Sequence, residues 1–150
     1  MYIYVLGAIS SYLKKIDSET MTEQILKDYL NGTTFVETLS KDLVETVSHS
    51  RDVSYYKIAD IESADKFIVT TKHLLKVCFD VIDHKLKLVD LEVIAFALES
   101  SDYFTWDTKT KDGNKVEDAI SNWSTREINK PVTLEYVKYC AFYLETGEHR

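Results

Sequence analysis

The chain has 150 residues, and its 25 aspartates and glutamates exceed its 18 lysines and arginines, giving a formal net charge of −7. No basic stripe offsets this charge, which argues against binding to a nucleic acid backbone. No apolar run approaches the about 20 residues that cross a bilayer, and the N-terminal residues do not follow the order of a secretory signal. Cys78 and Cys140 lie within apolar runs and predict buried free thiols in a reducing compartment. We therefore expect a soluble, cytoplasmic protein whose partner is neither nucleic acid nor membrane.

The first predicted element lies at the N-terminus. The spacing of Val5, Ile9, Tyr12 and Ile16 is typical of one face of a helix. The run YIYVL, residues 2–6, also suits a strand, because β-branched and aromatic side chains favour strands. Of the two, we prefer the helix.

Three capping boxes, in which a threonine or asparagine precedes a glutamate by three positions, mark further helix starts. They are Thr20 with Glu23, Thr34 with Glu37, and Asn114 with Glu117. The first predicts a helix that ends at Asn31-Gly32. The second predicts a helix with an apolar residue at every fourth position, namely Phe35, Leu39, Leu43 and Val47. The short connection between these two helices predicts a helical hairpin.

The longest periodic segment runs from about residue 60 to residue 85 and predicts one long helix. Its two apolar rows are Phe67, Leu74, Cys78 and Val81, and Ile68, Leu75, Phe79 and Ile82. On the polar side, His73, Asp80 and His84 have a spacing that metal ligands use. Because these three residues lie among lysines, a solvated helix face is the preferred interpretation, and we predict no metal.

The segment LVDLEVIAFAL, residues 88–98, is apolar nearly all round and predicts an enclosed central helix. The third capping box predicts a helix with Val116, Ile120 and Trp123 on one face. A loop from Thr125 to Pro131 precedes a last predicted helix, which starts at Thr133 and ends at Gly147. The rows of that helix are Leu134, Val137, Ala141 and Leu144, and Tyr136, Cys140 and Tyr143. Together these elements predict an all-α fold, a compact bundle of five or six helices in a single domain, 1–150.

Residues 97–113, ALESSDYFTWDTKTKDG, place three aromatic residues among aspartates just after the predicted central helix. The aromatic residues follow neither a helical nor a strand period. Residues 89–118 also hold eight acidic residues against three lysines. We predict a partner-binding surface formed by Glu99, Asp102, Tyr103, Phe104, Trp106, Asp107, Asp112, Glu117 and Asp118. The alternative is that Phe104 and Trp106 cap the core while the aspartates merely face water.

The sequence contains no catalytic motif. It has no glycine-rich phosphate loop, nucleophile elbow or zinc-protease motif, and its four glycines are scattered. Glu92 and Glu99 are seven residues apart on a predicted helix, but carboxylates without a pocket or a base partner are usually surface groups. We therefore predict a protein that acts by binding, without a cofactor, and not an enzyme.

Two stretches of the chain resemble a known family. Residues 24–43, QILKDYLNGTTFVETLSKDL, are similar to the Leu-Asn-Gly helix ending and following capped helix of small colicin-like immunity proteins. Residues 120–148 resemble the W-x-x-x-E-I-N-x-P ending of immunity proteins from bacterial toxin systems of the contact-dependent inhibition type. The matching positions are Trp123, Glu127, Ile128, Asn129, Pro131, Thr133 and Leu144. Arg126 and Lys130 depart from the pattern.

The resemblance implies a helical inhibitor that protects a bacterium from its own toxin. Many toxins of such systems are nucleases with basic clefts, which an acidic surface with aromatic anchors would fill by charge complementarity. The expected partner is therefore a cognate toxin domain that is basic. One alternative is a non-enzymatic interaction adaptor, such as a viral or phage bundle that sequesters host helices in an apolar groove. Another is a small structural bundle of a mobile element.

Overall fold

The computed structural model describes residues 2–5, 21–50, 53–124 and 132–148. The chain divides into two compact units, Met1–Glu62 and Ser63–Arg150. Six helices account for most of the described residues, which confirms the predicted helical fold class. The expectation of a single domain stays a prediction, and each unit is described by itself.

The described residues of the first unit form two helices and a small sheet. In chain order it contains β1 (Tyr2–Val5), β2 (Met21–Thr22), α1 (Glu23–Leu30), α2 (Val36–Thr46), β3 (Val47–Ser50) and β4 (Val53–Ala59). Strand β4 pairs with the other three strands, antiparallel to β1 and β3 and parallel to β2. Helices α1 and α2 pack against each other, as expected for the predicted hairpin. The sheet was not predicted from the sequence.

Strand pairing corrects two predictions in this unit. Tyr2–Val5 is a strand paired with β4, and not the start of the preferred helix. The remaining positions of that predicted helix, Ile9, Tyr12 and Ile16, lie outside the described residues. Val47 does not continue the apolar row of a helix but begins β3, opposite Tyr56. In both places, pairing with β4, from a distant segment for β1 and from the next strand for β3, overrides the local helical spacing.

Helix α1 begins after Thr22, and not after Thr20 as predicted. The Thr22 side-chain oxygen accepts a hydrogen bond from the backbone N–H of Ile25 at 3.0 Å, whereas Thr20 lies outside the described residues. Glu23, which was predicted to complete the cap, is only 2% exposed. Its carboxylate accepts a hydrogen bond from the backbone N–H of Ile61 at 2.9 Å. Glu23 therefore ties the chain that follows β4 to the start of α1.

The connection from α1 to α2 agrees with the sequence prediction better than the start of α1 does. Helix α1 ends at Leu30 with Asn31 as its C-cap, and Gly32 takes the positive φ of 79° that an Asn-Gly ending predicts. Helix α2 buries Leu39 and Leu43. Phe35, which was predicted for the same row, precedes the helix and is 79% exposed. Of the predicted row, Leu39 and Leu43 are therefore buried, whereas Phe35 is not.

In the second unit, the described residues form four helices and two short strands. Its elements are β5 (Phe67–Ile68), α3 (Thr71–Ile82), α4 (Leu88–Ser100), β6 (Phe104–Thr105), α5 (Lys111–Ser124) and α6 (Leu134–Thr146). Helix α3 packs mainly against α6, and α4 packs mainly against α5. The fully buried side chains of this core include Leu74, Val77, Leu91, Ile94, Leu98, Val116, Trp123 and Val137.

The helix predicted from about residue 60 to residue 85 is shorter than expected, since α3 has only 12 residues. Phe67 and Ile68 form β5, which pairs in parallel with Phe104 and Thr105 of β6. Thr70 then takes an extended conformation and caps α3. The apolar rows that include Phe67 and Ile68 have helical spacing, but these two residues form a strand because they pair with β6, far along the chain.

The predicted central helix is confirmed as α4, where most side chains are buried. Asp90 is buried too, and its carboxylate accepts a hydrogen bond from the backbone N–H of Lys87 at 2.8 Å. Burial raises the pKa of Asp90, although this hydrogen bond and the Lys87 charge oppose the shift. Within the described residues, no helix has the length and apolar character needed to span a membrane.

The predicted ends of α6 are confirmed. The Thr133 side-chain oxygen accepts a hydrogen bond from the N–H of Tyr136 at 3.1 Å, and Gly147 ends the helix with a φ of 76°. Helix α5 begins at Lys111, earlier than the box at Asn114 predicted. Both cysteines of the chain are buried free thiols, in agreement with the prediction.

Candidate functional site

Two of the aromatic residues predicted to bind a partner belong to the core of the second unit. Tyr103 is 6% exposed and Phe104 is 2% exposed. Their rings meet edge to face with centroids 5.3 Å apart, and the Phe67 ring lies 5.4 Å from that of Phe104. We call Phe67, Tyr103 and Phe104 the ring cluster. Burial corrects the prediction that Tyr103 and Phe104 present their rings to a partner, because most of each ring is already covered.

Asp112, another predicted partner residue, holds two helix starts together. Its carboxylate accepts hydrogen bonds from the side-chain hydroxyl of Thr71 at 2.6 Å and from the backbone N–H of Thr71 at 3.2 Å. Thr71 opens α3, and Asp112 lies in the first turn of α5. A carboxylate in this position satisfies a backbone donor that the helix itself leaves without a partner. Asp112 therefore has a structural role within the unit.

Asp107 shapes the turn that leads into α5. Its carboxylate accepts a hydrogen bond from the N–H of Lys109 at 2.9 Å, and its carbonyl accepts one from the hydroxyl of Thr110 at 2.8 Å. The Thr110 oxygen accepts in turn from the N–H of Gly113 at 2.9 Å. A Cβ atom on Gly113 would collide with the carbonyl of Asp107. The turn therefore packs directly on the first turn of α5, and only glycine allows this approach.

The remaining predicted partner residues lie at the surface. Trp106 is half-buried, and its indole N–H donates to the Glu117 carboxylate at 2.5 Å. The carbonyl of Asp102 accepts a hydrogen bond from the Lys66 ammonium at 2.7 Å. The carboxylates that remain exposed are Glu99, Asp102, Asp107, Asp112, Glu117 and Asp118. The acidic residues of the predicted surface are therefore exposed, whereas two of its three aromatic residues, Tyr103 and Phe104, are buried.

A groove between α5 and α6, apart from the ring cluster, is lined by aromatic side chains and one carboxylate. It has a volume of about 290 Å³ and is lined by Asp118, Ala119, Asn122, Tyr136, Tyr139, Cys140 and Tyr143. We call it the tyrosine groove. The three tyrosines are half-buried, and Cys140 beneath them is buried. Of the predicted partner residues, Asp118 alone lines this groove.

The polar groups of the tyrosine groove are connected by hydrogen bonds. The Tyr143 hydroxyl donates to Asp118 Oδ2 at 2.7 Å, and the Asn122 side-chain amide donates to the Asp118 carbonyl at 2.8 Å. The hydrogen bond to Asp118 is the main reason that the pKa of Tyr143 is raised to about 12, and partial burial and the Asp118 charge add to it. Tyr143 therefore stays neutral near pH 7, and Asp118 supplies the negative charge of the groove.

The rings of Tyr136 and Tyr139 stack beside this pair, with centroids 6.4 Å apart and an angle of 27° between their planes. This site was not predicted from the sequence, where Tyr136, Cys140 and Tyr143 form one row of the last predicted helix and the binding surface is placed elsewhere. A signal was nevertheless present, since the hydroxyl of a tyrosine requires a polar partner or water. Three tyrosines within eight residues of one helix therefore indicate a row at the edge of the core.

Of the residues considered for a metal site, His73 has a structural role. His73 Nδ1 accepts a hydrogen bond from the backbone N–H of Thr70 at 2.9 Å and so helps to cap α3. Burial lowers the pKa of His73, the Asp112 charge opposes this shift, and the Lys76 charge adds to it. His84 is exposed in the turn after α3, where its φ is 61°. Among the described residues, no three His, Cys, Asp or Glu side chains come together as metal ligands.

Comparison with protein-family models, with curated proteins and with solved structures finds no match for this chain. The resemblance to immunity proteins therefore rests on the sequence motifs alone. Trp123 is buried and donates its indole N–H to the Cys140 sulfur at 3.4 Å, Thr133 caps α6, and Leu144 is buried. The other matching positions, Glu127, Ile128, Asn129 and Pro131, lie outside the described residues.

Proposed function

We propose that this chain is an immunity protein, which binds a cognate bacterial toxin domain in the cytoplasm and neutralises it without catalysis. The observation that carries the proposal is the tyrosine groove, which three half-buried tyrosines line together with Asp118, whose carboxylate accepts a hydrogen bond from Tyr143. Tyrosine is enriched among the residues that dominate the energy of protein interfaces, because it buries a large ring and keeps a polar end. The resemblance of residues 24–43 and 120–148 to immunity proteins supports the same function.

The charge of the molecule supports a basic partner. The net charge is −7, and α5 and α6 together carry five acidic residues against three lysines. Glu117 and Asp118 are adjacent in α5, and both are exposed. Exposed acidic residues accelerate encounter with a basic surface, while aromatic side chains slow dissociation. On this proposal the toxin surface is basic, as expected of a protein that holds a phosphate backbone.

The size and the charge of the tyrosine groove support an immunity protein over a helix-sequestering adaptor. An adaptor needs a long apolar groove that accepts several side chains of an amphipathic helix. The tyrosine groove has a volume of about 290 Å³, at the lower end of the range for small-molecule sites, and it contains a carboxylate. These properties fit one protruding basic side chain better than a helix.

The proposal is tested with the toxin domain encoded beside the gene for this chain. Cells that produce that domain are expected to survive when they also produce this protein, and the two purified proteins are expected to form a stoichiometric complex. Tyr139→Ala should weaken the complex by about 2 kcal/mol, mainly through faster dissociation. Phe79→Ala is the matched control, because Phe79 is an exposed aromatic residue on α3 outside the groove. Absence of a toxin gene, or equal binding by both variants, would contradict the proposal.

A further inference from the structure

We propose that the tyrosine groove is a binding site for a single cationic side chain of a protein partner, and that arginine fits it best. This inference rests on the proposed function and specifies the chemical group that the groove accepts. It concerns the residues of α5 and α6 that line the groove, and it can be tested without the toxin.

The carboxylate of Asp118 supplies the anionic half of the site. Oδ2 accepts the hydrogen bond from Tyr143, whereas Oδ1 accepts none from the described residues. A guanidinium group donates two parallel N–H bonds to a carboxylate, and such charge-assisted pairs are stronger than neutral hydrogen bonds. Tyr143 donates a hydrogen bond to Asp118 and is neutral near pH 7, since the pKa of its hydroxyl, ordinarily 10.0, is raised further to about 12. The groove therefore carries one negative charge and disfavours anions.

The rings of Tyr136 and Tyr139 supply the aromatic half. Their centroids are 6.4 Å apart and their planes are inclined by 27°, so the two rings stack at a shallow angle to each other, and both residues line the groove. A planar guanidinium stacks on tyrosine faces and is less strongly hydrated than an ammonium group, which favours arginine over lysine. Lys138, on the same helix, pairs instead with Glu135 at 3.7 Å and is not among the lining residues.

The size of the groove limits what it accepts. Its volume of about 290 Å³ is at the lower end of the range for small-molecule sites, and one of its lining residues, Cys140, is buried. One long side chain fits such a space, whereas a helix would need a longer surface. The combination of a held carboxylate, stacked rings and limited volume therefore points to one arginine side chain.

The test is a nuclear magnetic resonance titration of the full chain, with the amides and the tyrosine rings labelled. The probes are N-acetyl-arginine amide and N-acetyl-citrulline amide, which have nearly the same shape but differ in charge. We expect the arginine probe to shift the signals of the three groove tyrosines and of Asn122, with a dissociation constant on the order of 1 to 10 mM. The citrulline probe should bind at least about fivefold more weakly, because it lacks the charge that pairs with Asp118.

Asp118→Asn provides the matched variant. The asparagine oxygen still accepts the hydrogen bond from Tyr143, so the groove keeps its shape and loses only its charge. An unchanged pattern of core signals verifies the fold, and the preference for arginine over citrulline should disappear. Equal shifts from both probes with the native protein, or no shift in the groove at millimolar concentrations, would overturn the inference. Arginine binding to a protein that binds no toxin would leave this inference standing and reject the proposed function.

Discussion

The ring cluster and the tyrosine groove are both built from aromatic side chains beside carboxylates, but they use them in opposite ways. Tyr103 and Phe104 follow no helical period, and they are nevertheless buried. Tyr136 and Tyr143 lie on a regular helical row, and they are nevertheless half-exposed. Periodicity therefore indicates the secondary structure of a segment, whereas the burial of each ring depends on the element that packs over it.

The same contrast applies to the carboxylates. Asp112, beside the ring cluster, accepts hydrogen bonds from Thr71 and joins α5 to α3. Asp118, two turns later on α5, accepts a hydrogen bond from a tyrosine in an open groove. An acidic residue close to an aromatic residue in sequence is therefore weak evidence for a binding surface until its hydrogen-bond partners are known.

The largest expected effect is the loss of a ring from the ring cluster. Phe104→Ala should lower the free energy of unfolding by about 3 to 5 kcal/mol, because it leaves a cavity in the core. Tyr139→Ala, in the groove, should cost about 1 kcal/mol or less. Both values are measured by urea denaturation followed by circular dichroism. Similar losses in the two variants would break the distinction between a core cluster and a surface groove.

Gly113→Ala should have the next largest effect. The new methyl group would collide with the carbonyl of Asp107, a backbone atom that cannot turn away, so the loss of stability should be about 2 to 3 kcal/mol. Asn114→Ala, at the exposed next position, is the control and should change stability by less than about 0.5 kcal/mol. If the glycine variant were as stable as the control, the turn would not pack on α5 as described.

A smaller effect is expected from Asp112→Ala, which removes the acceptor for both hydrogen bonds from Thr71. The loss should be about 1 to 2 kcal/mol, since the carboxylate is exposed and water replaces part of the interaction. Glu99→Ala removes another exposed carboxylate of the predicted partner surface and should be neutral within about 0.5 kcal/mol. Thermal unfolding of both variants measures the difference. A neutral Asp112→Ala would return this residue to the candidates for partner binding.

Acid should weaken the structure beside the ring cluster through His73, whose ring lies 5.0 Å from that of Phe67. Burial lowers the pKa of His73 below its ordinary 6.5, so the unfolded chain binds this proton more readily than the folded chain. The contribution of His73 to stability is therefore complete above pH 6.5 and declines as the pH falls below that value towards the lowered pKa.

Denaturation at a series of pH values measures this effect. His73→Asn keeps an acceptor for the N–H of Thr70 but cannot titrate, so stability should decline less between about pH 6.5 and pH 5. His84→Asn, at an exposed position, should keep the decline of the native protein. An identical decline in all three proteins would show that His73 does not titrate with folding.

The smallest effect on stability is expected in alkali, in the tyrosine groove. The pKa of Tyr143 is raised from 10.0 to about 12, mainly by its hydrogen bond to Asp118. Its contribution to stability is therefore present below pH 10 and declines as the pH rises from 10 towards 12. Ultraviolet absorbance of the phenolates should show that the late-titrating fraction becomes smaller in Asp118→Asn, because this substitution lowers the pKa of Tyr143. A titration curve that is the same in both proteins would contradict the described geometry of the groove.

Much of the helical fold was predictable from the sequence. The apolar segment around Ile94 predicted the central helix α4, and Thr133 with Gly147 predicted both ends of α6. The burial of Cys78 and Cys140 followed from the apolar runs around them. These features depend on neighbours within a few turns, such as a capping side chain or an apolar face, so a local pattern is sufficient to predict them.

The strands and the groove were decided by the tertiary structure. Tyr2–Val5 and Phe67–Ile68 are strands because β4 and β6 supply their hydrogen bonds from distant positions. Likewise, Asp118 and Tyr143 are 25 residues apart in the chain, and only the packing of α5 against α6 brings them into contact. A local pattern contains no information about such partners, because the free energy that places these residues comes from groups that meet only after the chain has folded.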